Sequence, residues 1–470
     1  MLEGLEINII SFFELNNDND ILRLDSEFYS KECETINNNI IRHPHFYLRK
    51  EEVVSGPFGS SLKSDSYLEK GIPFIRVENI KGGFTIDKNE MIYISPEDNE
   101  RLSNSQLVLD DIILSKVGNS IGSFARIDNS IKLCNISENN IGIKLKNYDI
   151  ATKHYILAYL NTNLAKKLVL RRKSGNAQPK LNVNDITFVP IPNLSVPFKK
   201  VISDSILKST SLLDESINSY RQSEDQFLQL FCIDFNDDQI QKGHTTTFTS
   251  VKNAGRFDAE YYQPKYEKLF NLLREKETKL LGNIVSIKKS IEPGSEFYET
   301  KGIPFIRVAD LDIFGISNST IYLNTCLFKE VIRPKKDTIL LSKDGSIGIA
   351  YKMERDEDMI TSGAILHLRI TDNCILPDYL TLVMNSKIVQ MQAERDAGGS
   401  IIQHWKLSEI SNVIIPIMPM EDQIRLSSKV QESFRLRQES KRLLEVTKQA
   451  VEIAISENEE TALKFLKDNG

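Results

Sequence analysis

Within residues 171–182 the chain reads RRKSGNAQPKLN, which places Arg171, Arg172, Lys173, Ser174, Asn176, Gln178 and Lys180 in one short polar stretch. Guanidinium and ammonium groups reach phosphates or guanine O6 and N7, while Asn and Gln amides form paired bonds to adenine. A loop of this composition, held on a rigid framework, has the chemistry of a surface that reads base edges. Two further loops are built alike. GPFGSSLKSDS at 56–66 offers Ser60 and Lys63, and SKVGNS at 115–120 offers Lys116 and Asn119. In the second half, SKDGSIG supplies Lys343, and GGSIIQHWK supplies Ser400, Gln403, His404 and Lys406. Each residue alone reads equally well as part of a solvated turn; the combination favours binding.

Catalytic chemistry is not indicated. The chain has no GxxxxGK phosphate loop, no HExxH, no GxSxG, and no NPPY or DPPY tetrapeptide. The glycines of KVGNSIG and KDGSIG lack dinucleotide-binding spacing and suit turns between strands. The six histidines are dispersed, with no carboxylate or cysteine at ligand spacing, so no metal site is expected. The five cysteines, Cys33, Cys134, Cys232, Cys326 and Cys374, form no CxxC pair and indicate neither a disulfide framework nor zinc.

Composition bounds the class. With 470 residues, 40% hydrophobic and 26% charged, the chain reads as a soluble protein of two or more domains. No apolar run is long enough to span a bilayer and no secretory leader is evident, so cytoplasmic residence is expected. The net charge of −6 argues against a uniformly basic nucleic-acid coat. Charge is local instead: residues 163–181 hold Lys166, Lys167, Arg171, Arg172, Lys173 and Lys180 and no acidic residue.

The elements that must position these loops occur twice. GIPFIRV stands at 71–77 and again at 302–308. Around it, LDSEFY at 24–29 matches FDAEYY at 257–262, and DIILSKVGNSIGSFARI at 111–127 matches DTILLSKDGSIGIAYKM at 337–353. SGNAQPKLNVNDITFVPIP at 174–192 matches GGSIIQHWKLSEISNVIIPIMP at 398–419 more loosely. The spacing between copies shortens only slowly along the chain, so a unit of roughly 230 residues has been duplicated. As the most identical stretch, GIPFIRV reads as framework. Its Arg76 and Arg307 fit either a structural hydrogen bond or a phosphate contact.

Each unit reads in two parts. IPFIRV, DIILSKVG and NIGIKLK are short β-branched runs bounded by turn residues, and one helix is expected in each of HYILAYLNTNLAKKLVLRR and PDYLTLVMNSKIVQMQAER. A long helix comes next. Ile206, Leu213, Ile217, Tyr220 and Phe227 make a heptad-like seam in 201–231, and Val430, Phe434, Leu444, Val451 and Ile455 make another in 422–456. Two such helices can bury their seams against each other, as paired spacers.

The order SGPFGSSLK, GIPFIRVENI, a strand ending in SK-G-SIG, a Gly/Gln-rich loop leading into VPIP, and a long helix resembles the target-recognition unit of type I restriction-modification specificity (S) subunits. IIPIMPMEDQIRLSSKV is similar to that family's Pro-rich turn with an acidic-Gln group, here Glu421, Asp422 and Gln423. The resemblance runs from about residue 22 to 456. It implies an α+β fold with two tandem strand-rich target-recognition domains. These would be separated by long helices paired as an antiparallel-type coiled coil, with pseudo-twofold symmetry. The expected bounds are 1–195 and 256–419 for the recognition domains, 196–255 for the central spacer and linker, and 420–470 for the C-terminal spacer.

The resemblance also implies a non-catalytic subunit that takes a methyltransferase or restriction complex to a bipartite double-stranded DNA target, one half-site per domain. The expected partners are two methyltransferase subunits and, where the system restricts, a translocase subunit, with no membrane. S-adenosylmethionine, and ATP with magnesium, would bind those partners and not this chain. A protein-interaction scaffold without base reading is the alternative. SGPFGSSLK has no good counterpart in the second half, which reads KKSIEPGSEF at 288–297, so the halves are expected to read different sequences.

Overall fold

The computed structural model describes residues 8–12, 23–59, 61–88, 90–175, 178–230, 245–398 and 403–470. The chain divides into two compact units, Met1–Leu213 with Gln438–Gly470, and Asp214–Arg437. Each takes one part of each long helix, α4 (Val196–Leu230) and α8 (Met420–Ser456).

In unit 1 the β-branched runs form two sheets. The first has the order β1 (Val53–Ser55), β8 (Asn140–Ile143), β5 (Ile112–Ser115), β6 (Phe124–Arg126), all antiparallel. The second has the order β3 (Ile92–Ile94), β2 (Ile72–Ile75), β7 (Leu133–Ile136), β4 (Gln106–Val108), with β2 and β7 parallel. Unit 2 repeats the plan. Its first sheet is β9 (Val285–Lys289), β15 (Ile365–Ile370), β12 (Ile339–Ser342), β13 (Ala350–Lys352), and its second is β11 (Tyr322–Leu323), β10 (Ile303–Ile306), β14 (Ile360–Thr361). β5 and β12 are buried at all four positions, which is why both read as uninterrupted apolar runs.

The repeated heptapeptide lies in these second sheets. Gly71 and Gly302 hold φ of 151° and 135°, and a Cβ there would meet the carbonyl oxygens of Ile94 and Leu323 at 2.4 and 2.3 Å. Only glycine fits so close to the neighbouring strand. After it, Phe74, Ile75, Phe305 and Ile306 fill the core. The backbone N–H of Arg76 then donates to Asn79, and that of Arg307 to Asp310, both at 2.9 Å. Most of GIPFIRV is framework.

Each expected single helix is broken in two. In unit 1, α2 (Ile150–Leu160) ends before α3 (Asn163–Leu170), because the Thr162 hydroxyl caps the new helix by accepting from Ala165 N–H at 3.1 Å. In unit 2, α6 (Pro377–Asn385) gives way to α7 (Lys387–Asp396) at Ser386, whose hydroxyl donates to the Val383 carbonyl at 2.6 Å. Tyr155 of α2 and Tyr379 of α6 donate to the carbonyls of Pro192 and Pro416 at 2.8 and 2.9 Å. The Pro-rich turns are thereby fixed to the helices, and burial pushes both phenols far up. Gln423 is buried beside this turn, accepting from Leu376 N–H at 2.9 Å and donating to the Cys374 carbonyl at 2.8 Å.

The long helices are paired antiparallel in both units. In unit 1, Ser195 N–H donates to Glu459 at 2.7 Å while Ser209 and Ser440 exchange hydroxyl-to-carbonyl bonds of 3.0 and 2.8 Å. In unit 2, Ser433 donates to the Ser216 carbonyl at 2.7 Å, and Ser223 to the Leu426 carbonyl at 3.1 Å. Ile206, Tyr220 and Phe227 are buried as the heptad reading expects, and so are Val430, Phe434, Leu444, Val451 and Ile455. The other seam position carries Ser209, Ser216 and Ser223, all fully buried. Small hydroxyls let the backbones approach and bond directly.

The blocks LDSEFY and FDAEYY turn out to be arginine holders. The guanidinium carbons of Arg23, Arg171 and Arg172 lie 5.0, 4.8 and 5.4 Å from the Phe28 ring centre. Arg171 pairs with Glu34 at 2.8 Å, Arg172 also stacks on Phe188, and both are at most 6% exposed. In unit 2, Arg395 stacks on Tyr261 at 4.1 Å and Phe270 at 4.5 Å, with Arg256 over Tyr261 at 4.8 Å. Arg171 and Arg172, expected on a polar loop, stand just after α3 and are packed on aromatic rings inside the unit.

Each unit also ties its sheet to a long helix through a buried charge network. In unit 1, Arg126 pairs with Asp110 at 2.7 Å, His154 of α2 meets Asp110 at 3.3 Å, and its other ring nitrogen meets Ser203 of α4 at 2.7 Å. In unit 2, Lys352 pairs with Asp378 of α6 at 2.9 Å, and Gln431 of α8 donates to Asp378 at 2.8 Å. Burial raises the Asp110 carboxyl, but bonds from His154 and Arg126 outweigh it and hold the group below its ordinary range.

Because Asp110 has a lowered pKa when folded, its stabilisation is present above the unfolded carboxyl value and is lost as pH falls through the folded value. Asp110→Asn is expected to cost about 3 kcal/mol at neutral pH and to flatten the acid limb of the unfolding midpoint, read by thermal denaturation from pH 7 to 3. Ser216→Leu overpacks the seam and is expected to cost about 1–3 kcal/mol in denaturant unfolding, whereas Ser216→Ala costs about 1. Arg171→Ala with Arg172→Ala removes the packing on Phe28 and Phe188 and is expected to lower the thermal midpoint; an unchanged midpoint would show that the stacks add nothing to stability.

Candidate nucleic-acid interface

Antiparallel pairing brings several chain segments to one end of each first sheet. In unit 1, Ser115 at the end of β5 lies opposite Asn140 at the start of β8, and Ser55 at the end of β1 opposite Ile141. Arg76 leaves β2 at the same end, since Ser137 N–H donates to the Ile75 carbonyl at 2.9 Å. Loops 56–66, 76–79, 116–122 and 137–139 therefore share one surface. In unit 2, Ser342 lies opposite Ile365, Lys289 opposite Leu366, and Ser362 N–H donates to the Ile306 carbonyl at 2.8 Å.

The turn after the central strand is organised by a buried serine. Ser115 donates to the Val117 carbonyl at 3.1 Å; Ser342 donates to the Ser346 carbonyl at 2.6 Å and accepts from Ile349 N–H at 2.9 Å. Gly118 and Gly345 turn the chain with φ of 76° and 74°.

The polar loop then locks onto this turn. Ser174 and Lys180 exchange backbone bonds of 2.9 Å, closing a small hairpin, and Leu181 N–H donates to the Lys116 carbonyl at 3.0 Å. Unit 2 repeats each step: Gly398 and His404 exchange bonds of 3.1 and 2.7 Å, and Trp405 N–H donates to the Lys343 carbonyl at 2.8 Å. Leu181 and Trp405 are buried as the plugs that anchor the hairpin. Interior apolar side chains thus anchor the described ends of the polar loop.

The structure brings most of the sequence-derived candidates together. Lys173, Gln178 and Lys180 are exposed on the hairpin side, with Ser174 half-buried at its start. Lys116 is half-buried and Asn119 exposed in the facing turn. Burial pushes the Lys116 ammonium down, against the pull of Glu138. Lys63 is exposed on the 56–66 loop, which Glu138 tethers by accepting from Gly59 N–H at 2.7 Å. Arg76 keeps 29% of its side chain exposed and pairs with Glu78 at 2.8 Å; Arg307 keeps 42% and lies 3.6 Å from Asp310. Among the described residues neither Nε makes a hydrogen bond.

In unit 2, Lys343 and His404 both contact Asp344, the histidine at 2.8 Å, and Gln403 is exposed beside them. Burial would raise the Asp344 carboxyl, yet its bonds to Lys343 and His404 hold it below the ordinary range. Lys406 is exposed and pairs with Glu409 at 3.3 Å. Ser60, Asn176 and Ser400 lie outside the described residues. Arg171 and Arg172 are apart from the cluster, buried on Phe28. Sequence reasoning missed Glu138 and Asp344, the carboxylates that fix the loops; the second had a signal in the KVG-to-KDG difference.

The surface carries cations, amides and hydroxyls at hydrogen-bonding exposure. Among the described residues no group of three His, Cys, Asp or Glu side chains is placed to hold a metal ion. No helix among them is long and apolar enough to cross a membrane.

Residues 274–446 match the family model of the type I restriction modification DNA specificity domain. A search of curated proteins finds no match. Among solved structures, the chain is similar to the type I restriction-modification S subunit from M. genitalium, with 15% identity over 90% of this chain and 96% of that one and a TM-score of 0.34. It is also similar to the HsdS subunit from Thermoanaerobacter tengcongensis, with 13% identity over 90% and 96% of the two chains and a TM-score of 0.28. The matched stretch lies in the second of the two repeats, whose framework recurs in the first half of the chain.

Proposed function

We propose that each unit reads one half of a bipartite DNA target through the loops at its sheet end, so that the chain directs a methyltransferase or restriction complex to that target. One observation carries this reading. The two units interlock the same turn and hairpin through the same backbone bonds, yet beside the shared Lys116 and Lys343 they present different side chains, Asn119, Gln178 and Lys180 in one and Asp344, Gln403 and His404 in the other. A shared scaffold with divergent tips suits two half-sites of unlike sequence. Phosphate contacts would dominate affinity and the amides and hydroxyls would discriminate bases.

Arg76 and Arg307, identically placed and partly exposed, suit a backbone contact common to both halves. In this reading the chain itself does no chemistry. Methyltransferase subunits bring S-adenosylmethionine, and a translocase subunit, where present, brings ATP and magnesium.

Methylome sequencing of the host with and without this chain is the direct test. The expected result is loss of one methylation motif of two short parts separated by a gap. Retention of every such motif would exclude the reading. Exchanging Gln178 and Lys180 for Ala is expected to relax base preference in one half of that motif only.

A further inference from the structure

The repeats differ most in the segment after the first strand: SGPFGSSLK beyond β1, and KKSIEPGSEF from residue 288 at the end of β9. In unit 2 this segment forms one wall of an open cleft of about 420 Å³, and the segment between β11 and β12 forms the other. Lys289 and Lys329 line it, both exposed, and neither makes an ion pair among the described residues. Glu330 is the one carboxylate on the lining, so the cleft carries net positive charge. Ser290 stands between the walls, 9% exposed, with its hydroxyl lacking any hydrogen-bond partner. Lys289 lies opposite Leu366, which puts the cleft at the sheet end that also carries Arg307, Lys343 and His404.

The neighbouring loops show why such a cleft is needed there. In unit 2 the lysines of this surface are already paired within the unit: Lys343 on Asp344, which also bonds His404, and Lys406 on Glu409. Unit 1 instead has Lys173 and Lys180 exposed on its hairpin side. A duplex laid across the sheet end of unit 2 would meet few uncommitted cations unless it also reached Lys289 and Lys329. Leu327, 69% exposed at the rim, adds apolar surface that contact with a ligand would cover.

We propose that this cleft is a phosphate-binding site of the second unit, in which Lys289 and Lys329 grip the DNA backbone and supply the attraction that the Asp344-bound loop cannot. The site rests on the reading of the chain as a DNA-binding specificity subunit. Its test uses the chain assembled with its methyltransferase partner, and a duplex carrying the target motif found by methylation sequencing, titrated by fluorescence anisotropy across a salt series.

With Lys289→Ala and Lys329→Ala, the log–log salt slope is expected to become shallower by about 1–2, with binding weakened about tenfold near 0.15 M salt. Lys289→Arg with Lys329→Arg is expected to keep the slope. Methylphosphonate linkages confined to one half-site should abolish the difference between wild type and the alanine variant; confined to the other half-site, they should leave it intact. A wild-type complex with a steep slope that the alanine variant shares would overturn the cleft assignment and leave the DNA-binding reading standing. A wild-type complex that binds this duplex without salt dependence would overturn both. Because both lysines are exposed, the thermal midpoint of the variant should be unchanged, and a lowered midpoint with an unchanged slope counts against the proposal.

Discussion

The backbone bond from Leu181 to Lys116, and its counterpart from Trp405 to Lys343, is the contact on which the polar loops at each sheet end depend. A loop of Ser, Gly, Asn and Gln has no core of its own and no periodic hydrogen bonding to define it. It becomes a defined surface only when something buried fixes both ends. Here a plug side chain enters the core directly after the hairpin, and the same residue's N–H bonds to the end of the central strand. The described polar groups, Ser174, Gln178 and Lys180 in unit 1 and Gln403 and His404 in unit 2, stand beside that anchored point.

The fold answers that requirement. Two short sheets, the second holding a parallel pair, expose several strand ends on one side, and the helices carry the tyrosines that pin the Pro-rich turns. The arginine–aromatic stacks close the ends of α3 and α7, where the chain turns toward the hairpin. Framework and surface are therefore separable in sequence. The framework recurs nearly unchanged, as in GIPFIRV, and the surface does not.

Much of this is legible without coordinates. Repetition identifies the matched strand-rich blocks, β-branched runs identify the strands, and heptad spacing identifies the apolar half of each helix seam. The features that escape a sequence reading do so for physical reasons. The serines at 209, 216 and 223 read as solvated helix positions, since nothing in a single sequence tells a hydroxyl facing water from one facing a partner carbonyl. Thr162 and Ser386 break helices by local capping inside otherwise helical stretches. Arg171 and Arg172 look like part of a polar loop because burial of a guanidinium on a ring depends on Phe28, more than a hundred residues upstream. The candidates around Lys116 and Lys343 gather in space because they flank the repeated strand.

The buried networks have a consequence for how the halves diverge. In unit 1 the carboxylate facing the strand cation is Asp110, on a turn, and the helix position beside it is His154. In unit 2 the same turn position holds Asp337, 4.0 Å from Lys352, and the helix position holds a second carboxylate, Asp378, at 2.9 Å. The strand cation has kept its place and its turn carboxylate, while the helix group has changed from an imidazole to an acid. The tie from sheet to helix therefore depends on which side chain stands at that one helix position. Exchanged alone between the halves, it would set a second carboxylate against Asp110 or take one away from Lys352.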